Sequence, residues 1–479
     1  MANEEMINKS TVRTRMAPSP TGDLHIGSLR TFLYSYAFAK KNHGEFLLRI
    51  EDTDQKRLVA GAADRLQKVM KDFGLSWDGE PFIQSQRLDI YQKYIKELLD
   101  KGHTYYCFCT QKRLDEIREV QKGAKKIPKY DRHCLNLSKA EIEKKLKDGL
   151  PYVIRMKIPD NETIIFNDLI RGQIKFNTND LDDQVLMKSN GIPTYHFAVV
   201  VDDYLMKISH IIRSDEWISS TPKHILLYRY FNWTIPQFAH LTVLLDPTHP
   251  GKMSKRYGSV LARQFLDEGY LPEAMLNFLM LLGWNPGTPQ EIFTLEEFIS
   301  AFSIEHLHKK AAIFDRKKLD YFNGLYVRQL NNKQLFSYFK KFLPQATDEE
   351  IKILLPIMKD RIVKFSDLPL QLKFIFEDVD YDPSLLLQRG ATKELVVDML
   401  TQSKEILGDL SAVVDFSDIQ NKLTNLIQKN GWNLGQFFMV FRVAICGAAQ
   451  TPPIVECLPA LGKEKTLHKI DLALAKLDN

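Results

Sequence analysis

Apolar positions near the start of the chain follow two periods in turn. Val12 to Ala17 reads as a short strand, Pro18-Ser19-Pro20-Thr21-Gly22 as a forced turn, and Leu29, Phe32, Leu33 and Tyr36 recur at i, i+3, i+4 and i+7, the spacing of an amphipathic helix. After a break at Gly44, the run Glu-Phe-Leu-Leu-Arg-Ile over 45–50 predicts a buried strand ending in Glu51-Asp52-Thr53-Asp54. Strand, loop, helix and strand in that order open a parallel sheet. A second apolar stretch, Tyr195 to Val201, followed by Asp202-Asp203 and then Ile208 to Arg213, predicts the return to that sheet. The fold class is therefore α/β, one nucleotide-binding fold split by an insertion. Beyond about Asp315 the period is helical almost throughout. Helices are predicted over Lys333 to Phe342, Glu349 to Phe365, Lys393 to Leu407 and Leu434 to Ala448, with breaks at Pro344, Pro383 and Gly431.

Length and composition narrow the class. A chain of 479 residues holds about three domains. With 44% hydrophobic and 26% charged residues it has the balance of a globular protein, not a disordered or fibrous one. No apolar run approaches the ~18–20 residues that span a bilayer, and the first residues lack the apolar stretch of a secretory signal, so the expectation is a cytosolic protein with no membrane partner. The net charge is only +5, but Gln111 to Gly149 carries 12 basic and 7 acidic residues, a local surplus as large as that of the whole chain. A charge run of this kind is a solvated face unless an acidic partner covers it. The 5 cysteines, at 107, 109, 134, 446 and 457, are too few and odd in number for a disulfide framework. Cys107-Phe108-Cys109 and, after 24 intervening residues, Cys134 could supply three thiolates to a tetrahedral structural zinc, with Tyr130, His133 and Asn136 nearby for the fourth ligand.

Two segments carry candidate chemistry. Ala17-Pro18-Ser19-Pro20-Thr21-Gly22-Asp23-Leu24-His25-Ile26-Gly27-Ser28 stands where a strand meets a helix, and a helix N-terminus with free N–H groups suits a phosphate. Gly27 would admit a ligand close to the backbone and His25 can donate to a phosphoryl oxygen. The pattern is neither Gly-x-Gly-x-x-Gly nor a Walker loop, which removes support from hydride transfer and ordinary kinase chemistry. Far downstream, Gly251-Lys252-Met253-Ser254-Lys255-Arg256-Tyr257-Gly258 places two lysines where they could stabilise charge developing at an α-phosphate.

The two segments in this order resemble the paired signatures of class I aminoacyl-tRNA synthetases. Longer matches narrow the resemblance to the glutamyl-tRNA synthetases: Arg15-Met16-Ala17-Pro18-Ser19-Pro20-Thr21-Gly22, Leu48-Arg49-Ile50-Glu51-Asp52-Thr53-Asp54, Gly191 to Ala198 with Val201-Asp202-Asp203, Ile212-Arg213, and stretches from Gly435 to Ala444 and Leu461 to Glu464. Ser28 replaces the last histidine of the first signature, and Met253 stands where leucine is common in the second. The resemblance implies a Rossmann-type catalytic domain split by an insertion and followed by an all-α anticodon-binding region. Its segments would be catalytic halves over 1–80 and 191–246, an acceptor-stem insertion over 81–190, a lysine-loop and stem-contact domain over 247–325, and helical subdomains over 326–380 and 381–479.

The implied activity is the joining of L-glutamate to ATP as glutamyl-adenylate with release of pyrophosphate, then transfer to the 3′ adenosine of tRNA-Glu. Activation would wait for bound tRNA, in a single chain with no membrane. By the same resemblance His25, Gly27, Lys252 and Lys255 are catalytic, and Gly22, Ser254 and Arg256 join them around ATP and Mg²⁺. Arg15, Ser19, Glu51, Tyr195 and Arg213 would hold glutamate, with Glu51 on the ammonium; the sequence does not fix which arginine takes the side-chain carboxylate, and Arg15 with Tyr195 is the pairing expected to do so. Cys107, Cys109, Cys134 and Tyr130 would hold zinc, with His133 as rival fourth ligand. A glutamate ligand demands arginine forks and a carboxylate in any case. No nucleophilic side chain is needed, because the substrate carboxylate attacks. Two other readings are a non-catalytic RNA-binding protein on the same fold and a small-molecule adenylyltransferase; the second would not need the long helical region.

Overall fold

The computed structural model describes residues 11–249, 251–253, 260–409 and 416–478. These fall into two compact units, the first made of residues up to 264 with 276–315, the second of 265–275 with the residues from 316 on.

In the first unit β1 (Arg13–Met16) leads through the Pro18–Gly22 turn to α1 (Ile26–Lys41), and β2 (Glu45–Ile50) returns parallel to β1 with Arg15 opposite Leu47. Gly44 permits that return: a Cβ there would lie 2.0 Å from the Val12 carbonyl oxygen. Next come α2 (Ala62–Asp72), β3 (Phe82–Ile83), which extends β2 in parallel, and α3 (Leu88–Asp100). Then follow β4 (Thr104–Cys107), α4 (Gln111–Gly123), α5 (Lys139–Lys147), β5 (Val153–Met156), β6 (Thr163–Asp168), β7 (Gly172–Asn177) and β8 (Val185–Met187). Strands β4, β5 and β8 form an antiparallel sheet of their own. Neither α4 nor α5 buries a residue, so the basic surplus lies on solvated helices.

The chain returns through α6 (Tyr195–Leu205), β9 (His210–Ser214), α7 (Thr221–Phe231) and β10 (Gln237–Leu241). Ser209 N–H donates to the Arg13 carbonyl at 3.0 Å, which sets the start of β9 beside β1. The second sheet has the order β7-β6-β10-β9, with β10 parallel to β6 at Phe238 opposite Asp168 and to β9 with His240 opposite Arg213. The insertion is thus continuous with the sheet that carries Arg213. A short parallel pair, β11 (Leu244–Leu245) and β12 (Ala312–Ile313), follows.

The expected strand over Tyr195 to Val201 is instead the helix α6. Every residue from Phe197 to Asp203 is buried, so neither a two-residue nor a 3.6-residue alternation marks the run, and short apolar runs do not tell strand from helix. Thr194, extended at φ −81° and ψ 163°, starts it as an N-cap.

The second unit is helical, as expected. Helices Asn332–Phe342, Lys393–Gly408 and Leu434–Cys446 fall close to their predicted bounds. The helix expected over 349–365 runs from Asp348 to Met358 only. Pro356 takes one N–H out of its ladder, and Phe365 enters the core from a separate short turn, stacking on Tyr338 at 4.4 Å. Asn331 with Gln334 and Thr347 with Glu350 form reciprocal capping boxes at two of these helix starts. Among the described residues no helix is long and apolar enough to cross a membrane.

Candidate active site and candidate metal centre

A cavity of about 840 Å³ opens beyond the carboxyl ends of β1, β2 and β9, the place where open α/β sheets bind ligands. It is lined by Arg15, Ser19, Gly22, His25, Gly27, Glu51, Tyr195, Arg213 and Lys252. These are all the expected ATP and glutamate residues that the structure describes; Ser254, Lys255 and Arg256 lie outside the described residues.

At one end, His25 is the N-cap of α1, and its Nδ1 accepts the Gly27 N–H at 3.0 Å. A neutral imidazole that accepts at Nδ1 carries its proton on Nε2, the form that can donate to a phosphoryl oxygen. The free N–H groups expected at this helix start are already used. Ile26 N–H donates to Val260 O, Gly27 to the His25 ring, and Ser28 and Leu29 to His25 O. An anion here meets the helix dipole and His25, not a cradle of open amides. The same segment grips the far end of the downstream one, because Ala262 N–H donates to Leu24 O at 2.8 Å; at the near end Met253 N–H donates to Leu244 O of β11 at 2.9 Å. Lys252 and Val260 are therefore both held by backbone pairing, at the two stems of the lysine segment. The Lys252 ammonium rests on the Glu216 carboxylate at 2.8 Å, half-exposed.

The other end is charged and buried: Arg15, Glu51 and Arg213 are each 7% exposed or less. The Arg15 Nε donates to Asp203 at 3.1 Å. Asp203 also takes Arg49 Nη1 at 2.6 Å, and Arg49 in turn holds Glu51 Oε1 at 2.9 Å. Among the described residues Oε2 of Glu51 takes no hydrogen bond, while Glu51 lines the cavity. Burial lifts the Glu51 carboxyl above the ordinary glutamate value against the pull of Arg49. Despite the upward push of burial, Arg15 and Arg49 hold Asp203 below its ordinary value.

Tyr195, first residue of α6, pairs with Arg213, hydroxyl to Nη1 at 3.5 Å, its ring 4.3 Å from Trp217. Arg213 further donates to His240 Nε2 at 3.1 Å and Thr221 Oγ1 at 2.9 Å, with His224 Nδ1 at 3.4 Å. Burial and the neighbouring cations keep His224 and His196 neutral, His196 pushed down to about 4.

Sequence reasoning gave no role to Arg49, Asp168, Asp203, Glu216, Thr221, His224 or His240. A signal existed for the first and third: an arginine inside an apolar strand and a paired aspartate after an apolar run each need a buried partner. The histidines carry no such mark.

The thiol cluster is separate. The ligand atoms of Cys107, Cys109 and Cys134 lie within 4.8 Å of one another, at the end of β4 and on the turn 133–136. The Tyr130 hydroxyl is 3.3 Å from Cys107 Sγ and 3.4 Å from Cys109 Sγ, and Cys109 and Cys134 are 3.6 Å apart. A tetrahedron with Zn–S near 2.3 Å has edges of about 3.8 Å, so these four groups have the dimensions of one closed site. Hydrogen bonding with Cys134, Tyr130 and Arg155 draws the Cys107 thiol down to about 4 against its burial. His133 is exposed, and its ring is not among the ligand atoms gathered with the three thiols.

A split parallel sheet, a histidine-capped helix start and a lysine segment paired to it by backbone define the catalytic unit of a class I aminoacyl-tRNA synthetase. Residues 11–321 match the family described as tRNA synthetases class I (E and Q), catalytic domain, and 334–474 match an anticodon binding domain. The chain is 44% identical to a glutamate–tRNA ligase of Clostridioides difficile, over 96% of its own length and 98% of the relative's. It is 40% identical to one of Alkaliphilus metalliredigens at 96% and 98% coverage. A crystal structure of a glutamate tRNA ligase from Elizabethkingia meningosepticum in complex with its amino acid superposes with a TM-score of 0.85 at 35% identity, covering 98% of this chain and all of the other. The chain belongs to the glutamate–tRNA ligases.

Proposed function

We propose that this cavity activates L-glutamate with ATP and Mg²⁺ and that the chain, working alone in the cytosol, passes the glutamyl group to the 3′ adenosine of tRNA-Glu. The observation that carries the reading is the polarity of the buried end. Glu51 offers one open carboxylate oxygen, and Arg213 is held only by neutral groups among the described residues. One negative and one positive group facing a shared cavity suit a ligand with an ammonium and a side-chain carboxylate. Arg15, neutralised by Asp203, adds a second fork, and Ser19 a polar contact at the rim.

ATP lies toward Gly22, His25 and Gly27, with Gly27 admitting it close to α1. His25 Nε2–H and Lys252 face its phosphates, and the charges of Lys255 and Arg256 with the Ser254 hydroxyl, outside the described residues, are assigned to the same phosphates. The glutamate α-carboxylate attacks the α-phosphorus, pyrophosphate leaves, and the terminal ribose hydroxyl of tRNA then takes the acyl group. The protein contributes orientation and charge stabilisation.

The insertion over 81–190 takes the acceptor end on its solvated basic helices. The helical unit holds the anticodon, whose unstacked bases suit a cavity of about 670 Å³ lined by Arg361, Gln371, Lys373 and Phe374. Cys107, Cys109, Cys134 and Tyr130 hold a structural zinc that ties β4 to the turn at 133–136. The division at 80, 190, 246, 325 and 380 belongs to this same reading.

The test is ATP–pyrophosphate exchange with glutamate, with and without tRNA, beside charging of purified tRNA-Glu and tRNA-Gln. Exchange that needs glutamate and rises with tRNA-Glu is expected. No exchange with glutamate in the presence of tRNA-Glu would return the chain to the non-catalytic RNA-binding reading.

A further inference from the structure

Three adjacent strands carry one polar line that ends in the glutamate pocket. Asp168 closes β6, His240 lies on β10 and Arg213 on β9, and His240 and Arg213 are direct cross-strand partners. Asp168 Oδ2 is 2.6 Å from His240 Nδ1, and His240 Nε2 is 3.1 Å from Arg213 Nε. An arginine has no acceptor, so the Nε2 that meets it must offer a lone pair. The ring proton therefore sits on Nδ1, donated to Asp168. Asp168 is itself fixed by the N–H groups of Ile170, Arg171 and His240.

Contrast this with Arg15, whose charge is taken directly by Asp203. Among the described residues, none of the groups bonded to Arg213 is negative: His240, His224, Thr221, Tyr195 and the Trp217 carbonyl. A carboxylate in direct contact would aim the guanidinium equally well but would cancel the charge that a ligand carboxylate needs. One placed behind an imidazole fixes the geometry and leaves the charge available.

We propose that Asp168 and His240 are positioning residues for substrate selection: they lock Arg213 in place through a neutral imidazole of fixed tautomer, so that the pocket prefers glutamate over its uncharged amide, glutamine. The inference rests on the assignment of Arg213 to the substrate's side-chain carboxylate.

His240→Asn and His240→Gln separate the parts of the device. The asparagine amide reaches the Nδ1 position and stops short of Arg213, whereas the glutamine amide oxygen reaches the Nε2 position. In tRNA-supported exchange, His240→Asn should raise the KM for glutamate about tenfold or more, the scale of one charge-assisted hydrogen bond. The KM for ATP should stay, kcat should move less than about threefold, and the ratio of glutamate KM to glutamine inhibition constant should rise about tenfold. His240→Gln should recover most of that ratio. Asp168→Asn, which lets the ring proton move to Nε2, should lose the ratio as His240→Asn does and serves where His240→Asn does not fold by thermal melt. Arg213→Ala separates the two levels. If it keeps the wild-type KM for glutamate, the assignment of Arg213 falls and this inference with it. If it loses glutamate while folded His240→Asn and Asp168→Asn keep the wild-type ratio, only the positioning role falls.

Discussion

Replacing Asp203 by asparagine should be among the most damaging isosteric changes available to the first unit. The carboxylate is 1% exposed and accepts from Arg49 Nη1 at 2.6 Å and Arg15 Nε at 3.1 Å. With Glu51, and with Asp202, which pairs with Arg87 at 2.9 Å and reaches Arg49 at 4.0 Å, the six groups sum to zero charge, so Asp203→Asn leaves one positive charge uncompensated. At about 3 Å and an effective dielectric of about 20, each ion pair is worth roughly 5 kcal/mol before desolvation. Breaking a buried pair from one side costs about 3–5 kcal/mol net, and the amide oxygen can still accept one bond, so the lower half of that range is expected. Urea unfolding followed by tryptophan fluorescence reads it, since Trp77, Trp217, Trp233 and Trp284 all belong to this unit. The pH dependence adds a sign. Asp203 titrates lower in the folded state than unfolded, so its contribution is whole above the unfolded value of about 4 and is lost as pH falls through the folded value. The gap between wild type and variant should therefore close in acid. A variant within about 1 kcal/mol of wild type at pH 7 would refute the reasoning, and so would a gap that widens as the solution is acidified. Arg49→Met combined with Asp203→Leu should cost less than the sum of the two single changes, because it removes both signs at once.

The remaining predictions concern the ligand and the metal. Because burial raises the Glu51 carboxyl, its ionised form is depleted as pH falls toward that raised value, and the KM for glutamate should climb there. Glu51→Gln should bind glutamate weakly with that climb removed; an unchanged profile would take the ammonium away from Glu51. Elemental analysis of protein purified without chelator should find about one zinc per chain. Cys107→Ser and Tyr130→Phe should lower it and His133→Ala should not, whereas metal-free protein with full charging activity would make the cluster three plain thiols.

What could be read from the sequence was what short-range pattern encodes. β2 fell on 45–50 as predicted because an apolar run between a glycine break and an acidic run has little else to be. The helical third was readable because its amphipathic period repeats many times. The cysteine spacing announced a cluster, and the signature residues that lie within the described chain do gather on one cavity. What escaped was of another kind. α6 is buried on every side, so burial erased the period that would have marked it. Asp168 and His240 stand 72 residues apart, and nothing local to either says that β6 of the insertion will lie against β10. The pairing of Arg15 with Asp203 escaped for the same reason, since the two stand 188 residues apart and meet only once the sheet has closed.

The way the lysine segment is tied down has a consequence for which sequence changes the enzyme tolerates. Its stems are held by main-chain bonds, Met253 to Leu244 on one side and Ala262 to Leu24 on the other, and main-chain bonds are indifferent to side-chain identity. Substitutions along the stems should thus be forgiven where they keep the extended pairing. Length is another matter. Each residue added or removed between the stems changes the reach of the chain by up to about 3.5 Å, more than the difference between a hydrogen bond made and one missed. The residue count from Met253 to Val260 therefore limits how far the chain between the stems can reach, and a drift in that count should be harder to repair by compensating mutation than almost any single replacement within it.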